Sequence, residues 1–167
     1  MPFQWLIPAL GTIALGQAEW SPGDHPVLFP SAAGPFSCLV CFEAIFPDLA
    51  RTDVLRGARW LVNITNDEWF GNSAALYQHA AMAVFRAVEC RVPLARCANT
   101  GLTLVCDAYG RVVAQAPVFE PTLLVIPLPL PGPAGGYLRF GDWPGLLSGI
   151  VVAVAGLVAL TGRNRRT

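Results

Sequence analysis

Phe36-Ser37-Cys38-Leu39-Val40-Cys41-Phe42-Glu43 decides the fold class of this chain. The apolar run 36–40 is short and bounded, as a buried strand is. It closes on a cysteine, with a carboxylate two residues on. A second short apolar run, Trp60-Leu61-Val62, closes on Asn63-Ile64-Thr65-Asn66-Asp67-Glu68-Trp69-Phe70-Gly71. Between the two, residues 46–59 carry Leu49, Val54, Leu55 and Ala58 at near-helical spacing, and Pro47 suits a first helical turn. Strand, helix, strand predicts an α/β fold, whose sites lie at the carboxyl ends of the strands. A thiol displayed there, beside Glu43, has the placement of an enzyme nucleophile.

The same reading extends along the chain. Residues 73–91 form the clearest helix, with Leu76, Ala80, Ala83, Val84, Ala87 and Val88 on one face, a cap at Asn72 or Ser73, and Pro93 beyond its end. Residues 94–98 and 102–106 read as short strands separated by the turn Asn99-Thr100-Gly101. Asp107-Ala108-Tyr109-Gly110 is a further turn leading into a strand over 111–114. Residues 123–126 read as a last strand, and no internal repeat is visible.

Composition narrows the class. The 167 residues carry no net charge and only 13 % charged residues, and every basic side chain is Arg, with no Lys. No basic stripe points to nucleic acid. At 54 %, hydrophobic residues exceed the usual share of a soluble domain, which predicts a lipid-facing element. The opening Met1-Pro2-Phe3-Gln4-Trp5 lacks the basic and apolar regions of a signal peptide, and Pro8 and Gly11 interrupt it. Residues 143–162 contain no charge, begin at Trp143 and precede Arg163, Arg165 and Arg166. That pattern predicts a transmembrane helix with a cytoplasmic basic tail. The expected organisation is a domain over 1–126, a Pro/Gly-rich linker over 127–142, the membrane helix over 143–162 and the tail over 163–167.

Cys38 and Cys41 form a C-x-x-C pair, but Cys90, Cys97 and Cys106 are scattered and no second pair completes a zinc site. Placed within a strand, the two thiols would point to opposite sheet faces, so Cys38 reads as a core thiol. No metal or cofactor is expected.

Taken together, Cys41-Phe42-Glu43, Asn63-x-Thr65-Asn66-Asp67-x-Trp69-Phe70-Gly71, Gln78-His79, Arg86-Ala87-x-Glu89 and Asn99-Thr100-Gly101 resemble the carbon–nitrogen hydrolase (nitrilase) superfamily. Asn66-Asp67-x-Trp69-Phe70-Gly71, Gly141-Asp142-Trp143-Pro144 and the apolar C-terminal segment resemble its apolipoprotein N-acyltransferase branch. The resemblance implies the second half of an α-β-β-α sandwich followed by one transmembrane helix. It implies acyl transfer from a phospholipid, through a cysteine thioester, to the amine of a diacylglyceryl cysteine on an apolipoprotein. By position, Cys41 is the nucleophile, the Phe42 N–H an oxyanion donor, Glu43 a supporting carboxylate, and Trp69 and Phe70 substrate contacts. Where Phe42 stands, many members carry Tyr. His79 is expected to pack its helix, and Asn66 and Asp67 to shape their loop through backbone hydrogen bonds.

The resemblance also implies a general-base Glu and an oxyanion Lys upstream of the cysteine. Only Glu19 and Asp24 precede Cys41 as acids, neither in a matching context, and no Lys exists. The expectation is a C-terminal part of the enzyme, inactive alone, with a missing N-terminal half as a possible partner. The implied location is the bacterial plasma membrane, with the catalytic part on its outer face. Two other classes stay open: a nitrilase-type amidase, and a non-catalytic membrane-anchored remnant.

Overall fold

The structure, a computed structural model, describes residues 23–163, the side chains of 159–163 apart. The expectations placed on the opening segment, Glu19 included, and on Arg165 and Arg166 lie outside the described residues.

Five strands form one mixed sheet in the order β1 (Phe36–Val40), β2 (Trp60–Thr65), β3 (Leu94–Ala98), β4 (Leu104–Cys106), β5 (Val112–Gln115). The first three are parallel, and β4 and β5 return antiparallel. Helix α1 (Pro47–Leu55) connects β1 to β2, and α2 (Ala74–Cys90) connects β2 to β3. Each is the crossover that parallel neighbours require.

The period of two sorts each strand. Ser37, Leu39, Leu61, Asn63, Leu94, Arg96, Leu104 and Cys106 are buried on one face. There they meet Ala44, Ala50, Ala80, Ala83, Ala87 and Cys90 in one core. The alanines let α1 and α2 lie close to the sheet. The other face carries half-buried or exposed Phe36, Cys38, Val40, Val62, Ile64 and Cys97. The described residues therefore supply one helix layer and one sheet layer of the expected sandwich.

Helix α2 has the ends its sequence implies. Ser73 Oγ accepts from the Ala75 N–H, and Arg91 turns left-handed at φ 58° just before Pro93.

Three expectations change. Cys41 does not lie in β1, which stops at Val40; it opens a 3-10 turn over Cys41–Ile45. No strand forms over 123–126, where Leu123 and Val125 are exposed and Pro121, Pro127 and Pro129, which lack ladder donors, flank the segment. The stretch assigned to a linker holds a short helix, α3 (Gly136–Phe140), whose last carbonyls are gripped by Arg51: Nε donates to Tyr137 O at 3.3 Å and to Leu138 O at 3.2 Å.

A helix does form where the membrane span was expected, α4 (Trp143–Arg163). Among the described residues, however, no helix is long and apolar enough to cross a membrane. The crossing is thus not established by the fold, although Leu146, Leu147, Ile150, Val151 and Val152 on this helix are all exposed.

Candidate active site

Cys41 stands at the carboxyl end of β1 with φ 51°, a left-handed angle that residues other than Gly, Asn and Asp rarely hold. Such strain persists only where the surroundings impose it. Two contacts do so here. Glu43 Oε2 accepts the N–H of Val40 at 2.7 Å and closes the turn over the cysteine. From beneath, Asn63 Nδ2 donates to Leu39 O at 2.8 Å and to Cys41 O at 3.3 Å.

The strand register explains why Asn63 is there. Leu39 pairs with Asn63, and Asn63 with Arg96, so the three occupy one row across β1, β2 and β3 on the helix-covered face. Arg96, whose side chain is fully buried, donates through Nη1 to Asn63 Oδ1, through Nη2 to Asp67 Oδ2 at 2.6 Å, and through Nε to Leu102 O at 3.2 Å. Burial pushes the Arg96 guanidinium below its ordinary range, opposed by the Asp67 carboxylate and by Cys41. A buried ion pair is tolerable only when its remaining polar atoms are also satisfied. Asp67 meets that condition: Oδ1 accepts from Thr65 Oγ1 and contacts His79 Nδ1, both at 2.9 Å, and its N–H donates to Asn99 Oδ1 at 3.0 Å.

His79 is buried on α2, as its expected packing role requires, but it also belongs to this network. An ionised Asp67 only accepts, which assigns the shared proton to His79 Nδ1. Buried Nε2 has no partner among the described residues. The ring lies between Phe42, at 5.9 Å, and Phe70, at 5.7 Å edge-on. Asp67 likewise exceeds its expected role as a loop former: its side chain is the hub that joins β2, β3 and α2. Gly101 lies directly over it. A Cβ there would overlap the Asp67 carboxylate and come within 2.8 Å of its Cβ and Cγ.

The other expected site residues lie on the turn after β1 and on the loop after β2. Phe42 is 54 % exposed and meets Phe46 edge-on at 6.5 Å. Trp69, at 80 % the more exposed, is pinned by its Nε1–H to Asn66 O at 2.9 Å. Phe70 is half-buried. Asn66 Oδ1 accepts from the Glu68 N–H and from Asn99 Nδ2, tying the two loops together. Trp69 and Phe42 thus present exposed apolar rings on the segments that follow β2 and β1. Among the described residues no group of His, Cys, Asp or Glu is placed to hold a metal. Sequence reasoning assigned no role to Arg96 and none to the Asn63 side chain. A signal was present: both are polar residues at core-facing positions of buried strands, where period-two alternation predicts apolar ones.

A left-handed cysteine at the end of a parallel strand, with Glu43 closing its turn, displays a thiol where α/β folds place their sites. The carbon–nitrogen hydrolase family model matches residues 13–132. The chain belongs to the carbon–nitrogen hydrolase family. Among its curated relatives, apolipoprotein N-acyltransferase of Geobacter metallireducens is 41 % identical over the whole chain, which covers 32 % of that protein. The same-named protein of Methylococcus capsulatus is 42 % identical over 85 % of the chain and 29 % of its own length. The chain therefore spans about a third of the curated relatives it matches. Among solved structures, an amidase from Nesterenkonia sp. aligns with TM-score 0.56 and 26 % identity, over 78 % of this chain and 49 % of that one. A mutant of the amidase from Nesterenkonia sp. AN1, showing Michael addition of acrylamide at its active-site cysteine, aligns with TM-score 0.57 and 25 % identity, over 78 % of this chain and 51 % of that one.

Proposed function

We propose that this carbon–nitrogen hydrolase chain carries the nucleophile side of an apolipoprotein N-acyltransferase site. The observation that carries the reading is Cys41, held left-handed between Glu43 and Asn63 in a sequence 41 % identical to a protein of that name. The Cys41 thiolate adds to the ester carbonyl of a phospholipid. The tetrahedral oxyanion collapses, the alkoxide leaves and takes up a proton, and the acyl group remains on Sγ as a thioester. The α-amine of a diacylglyceryl cysteine then attacks, loses a proton, and returns Cys41 as a thiol. In this reading Phe42 N–H donates to the oxyanion. Glu43 orients the turn, its carboxylate accepting the Val40 N–H, and the family resemblance gives the proton to a different Glu. Trp69 and Phe70 flank the acyl chain.

A free thiol with pKa about 8.5 is mostly protonated at neutral pH. The Lys that the family resemblance implies has no counterpart in a chain without Lys; in this reading it and the general-base Glu are supplied by another polypeptide. The exposed apolar side chains of α4 support a membrane location, with the domain on the outer face of a bacterial plasma membrane and the arginines after it in the cytoplasm.

The test is intact-mass analysis after incubation with phospholipid vesicles and a diacylated lipopeptide. A phospholipid-derived thioester on Cys41 is expected when a polypeptide supplying the Glu and Lys is co-expressed, and none with this chain alone. Failure of the co-expressed pair to acylate Cys41 would sink the acyltransferase reading. Release of ammonia from small amides by that pair would instead favour an amidase, a reading that the Nesterenkonia structures support.

A further inference from the structure

The peptide joining Cys41 to Phe42 is trans, as every described peptide bond is. In a planar trans peptide the C=O of one residue and the N–H of the next point in opposite directions. Whatever holds Cys41 O therefore also sets where Phe42 N–H points. The holder is Asn63 Nδ2, at 3.3 Å, from a side chain with no exposed surface. Asn63 cannot rotate away, because Nδ2 also binds Leu39 O at 2.8 Å while Oδ1 receives Arg96 Nη1. Arg96 is fixed in turn by Asp67 at 2.6 Å and by Leu102 O at 3.2 Å.

We propose that Asn63, locked by Arg96, is a positioning residue for acylation: by gripping the Cys41 carbonyl it holds the Cys41–Phe42 peptide plane and aims the Phe42 N–H, on the side away from Asn63, at the oxyanion. This role rests on the acyl-transfer reading given above. It also accounts for the polar residues that β2 and β3 bury in an otherwise apolar row. The grip leaves the thiol untouched and acts only where charge develops on a carbonyl oxygen. Thiol reactivity and acylation should therefore separate.

The test compares two reactions of the 167-residue chain at about pH 8.5, where much of a free thiol is ionised without a base. One is alkylation of Cys41 by iodoacetamide, a displacement at saturated carbon that forms no oxyanion. The other is acylation by a p-nitrophenyl acyl ester, read as a burst of p-nitrophenolate that Cys41→Ala abolishes. The aryl oxide leaves without an acid. Asn63→Ser loses the donor to Cys41 O and adds no charge beside the thiol. Arg96→Lys keeps a charge beside Asp67 and loses the second arm that locks Asn63. Each folded variant, checked by its circular dichroism melt, is expected to lose about 10- to 100-fold in burst rate, somewhat less than removal of an oxyanion donor itself. Alkylation should stay within about twofold of the unsubstituted chain.

A burst rate unmoved by either variant, or burst and alkylation falling by the same factor, would overturn the positioning role. No burst from the unsubstituted chain, with Cys41 still alkylated, would overturn the positioning role, because the Asn63 grip would then not suffice to aim the Phe42 N–H; the acyl-transfer reading stands or falls on the co-expressed pair.

Discussion

Cys41 holds its backbone at φ 51°, where an L-residue is disfavoured by about 1–2 kcal/mol and Gly is not. The strain belongs to displaying the thiol, so stability and chemistry pull apart at this residue. Cys41→Gly is expected to be about 1 kcal/mol more stable than Cys41→Ala by urea unfolding, with both unable to form the thioester; equal stabilities would mean that the angle carries no strain. Gly101 is the opposite case, needed for space rather than for a special angle. Gly101→Ala drives a methyl into the buried Asp67 side chain, and overpacking of that kind costs about 1–3 kcal/mol. The same shift would disturb the Arg96 and His79 contacts, so the melt should drop and the p-nitrophenolate burst should slow together. An unchanged melting temperature would contradict the close approach.

At the scale of elements, α2 and β4 each bury a thiol against the sheet. Burial pushes Cys90, on α2, from 9.0 up to about 12, and Cys106, on β4, from 9.0 up to about 11. Between pH 9 and 11 the unfolded chain releases these protons while the folded chain keeps them. The unfolded state then binds fewer protons, and stability falls as pH rises. Below pH 9 the two states are protonated alike and the full stability is present. Equilibrium unfolding followed from pH 8 to 11 should show a loss of a few kcal/mol by the linkage relation. The double variant Cys90→Ala, Cys106→Ala should flatten that slope. A slope that survives in the double variant would place its origin elsewhere. Iodoacetamide should label Cys41 and exposed Cys97 in the folded chain well before either buried thiol.

At the scale of the whole molecule, two of the apolar surfaces exposed among the described residues bear on lipid contact. One is the sheet face carrying Val40 and Ile64, and the other is α4 with Leu146, Leu147, Ile150 and Val151. Contiguous exposed apolar surface marks an interaction site or an aggregation hazard. The membrane reading makes a specific claim about the second: the chain should co-sediment with phospholipid vesicles, and removal of residues 143–167 should release it. Loss of vesicle binding with α4 intact but Val40→Ser and Ile64→Ser installed would shift the lipid contact to the sheet instead.

Sequence alone determined the α/β class, the positions of α1 and α2, the five strands to within a residue or two, and the candidate nucleophile. These follow from local periodicity, caps and prolines, which the residues themselves encode. Its misplaced strand at 123–126 shows the limit of the same signal: a short apolar run specifies a strand only if a ladder and a buried face await it. Tertiary structure alone decided what lies under the thiol. Asn63, Asp67, His79 and Arg96 come from β2, the loop after it, α2 and β3, separated by up to 33 residues. No spacing rule joins them. Parallel register and the burial of one sheet face bring them together, because ionic and amide groups taken out of water must find one another.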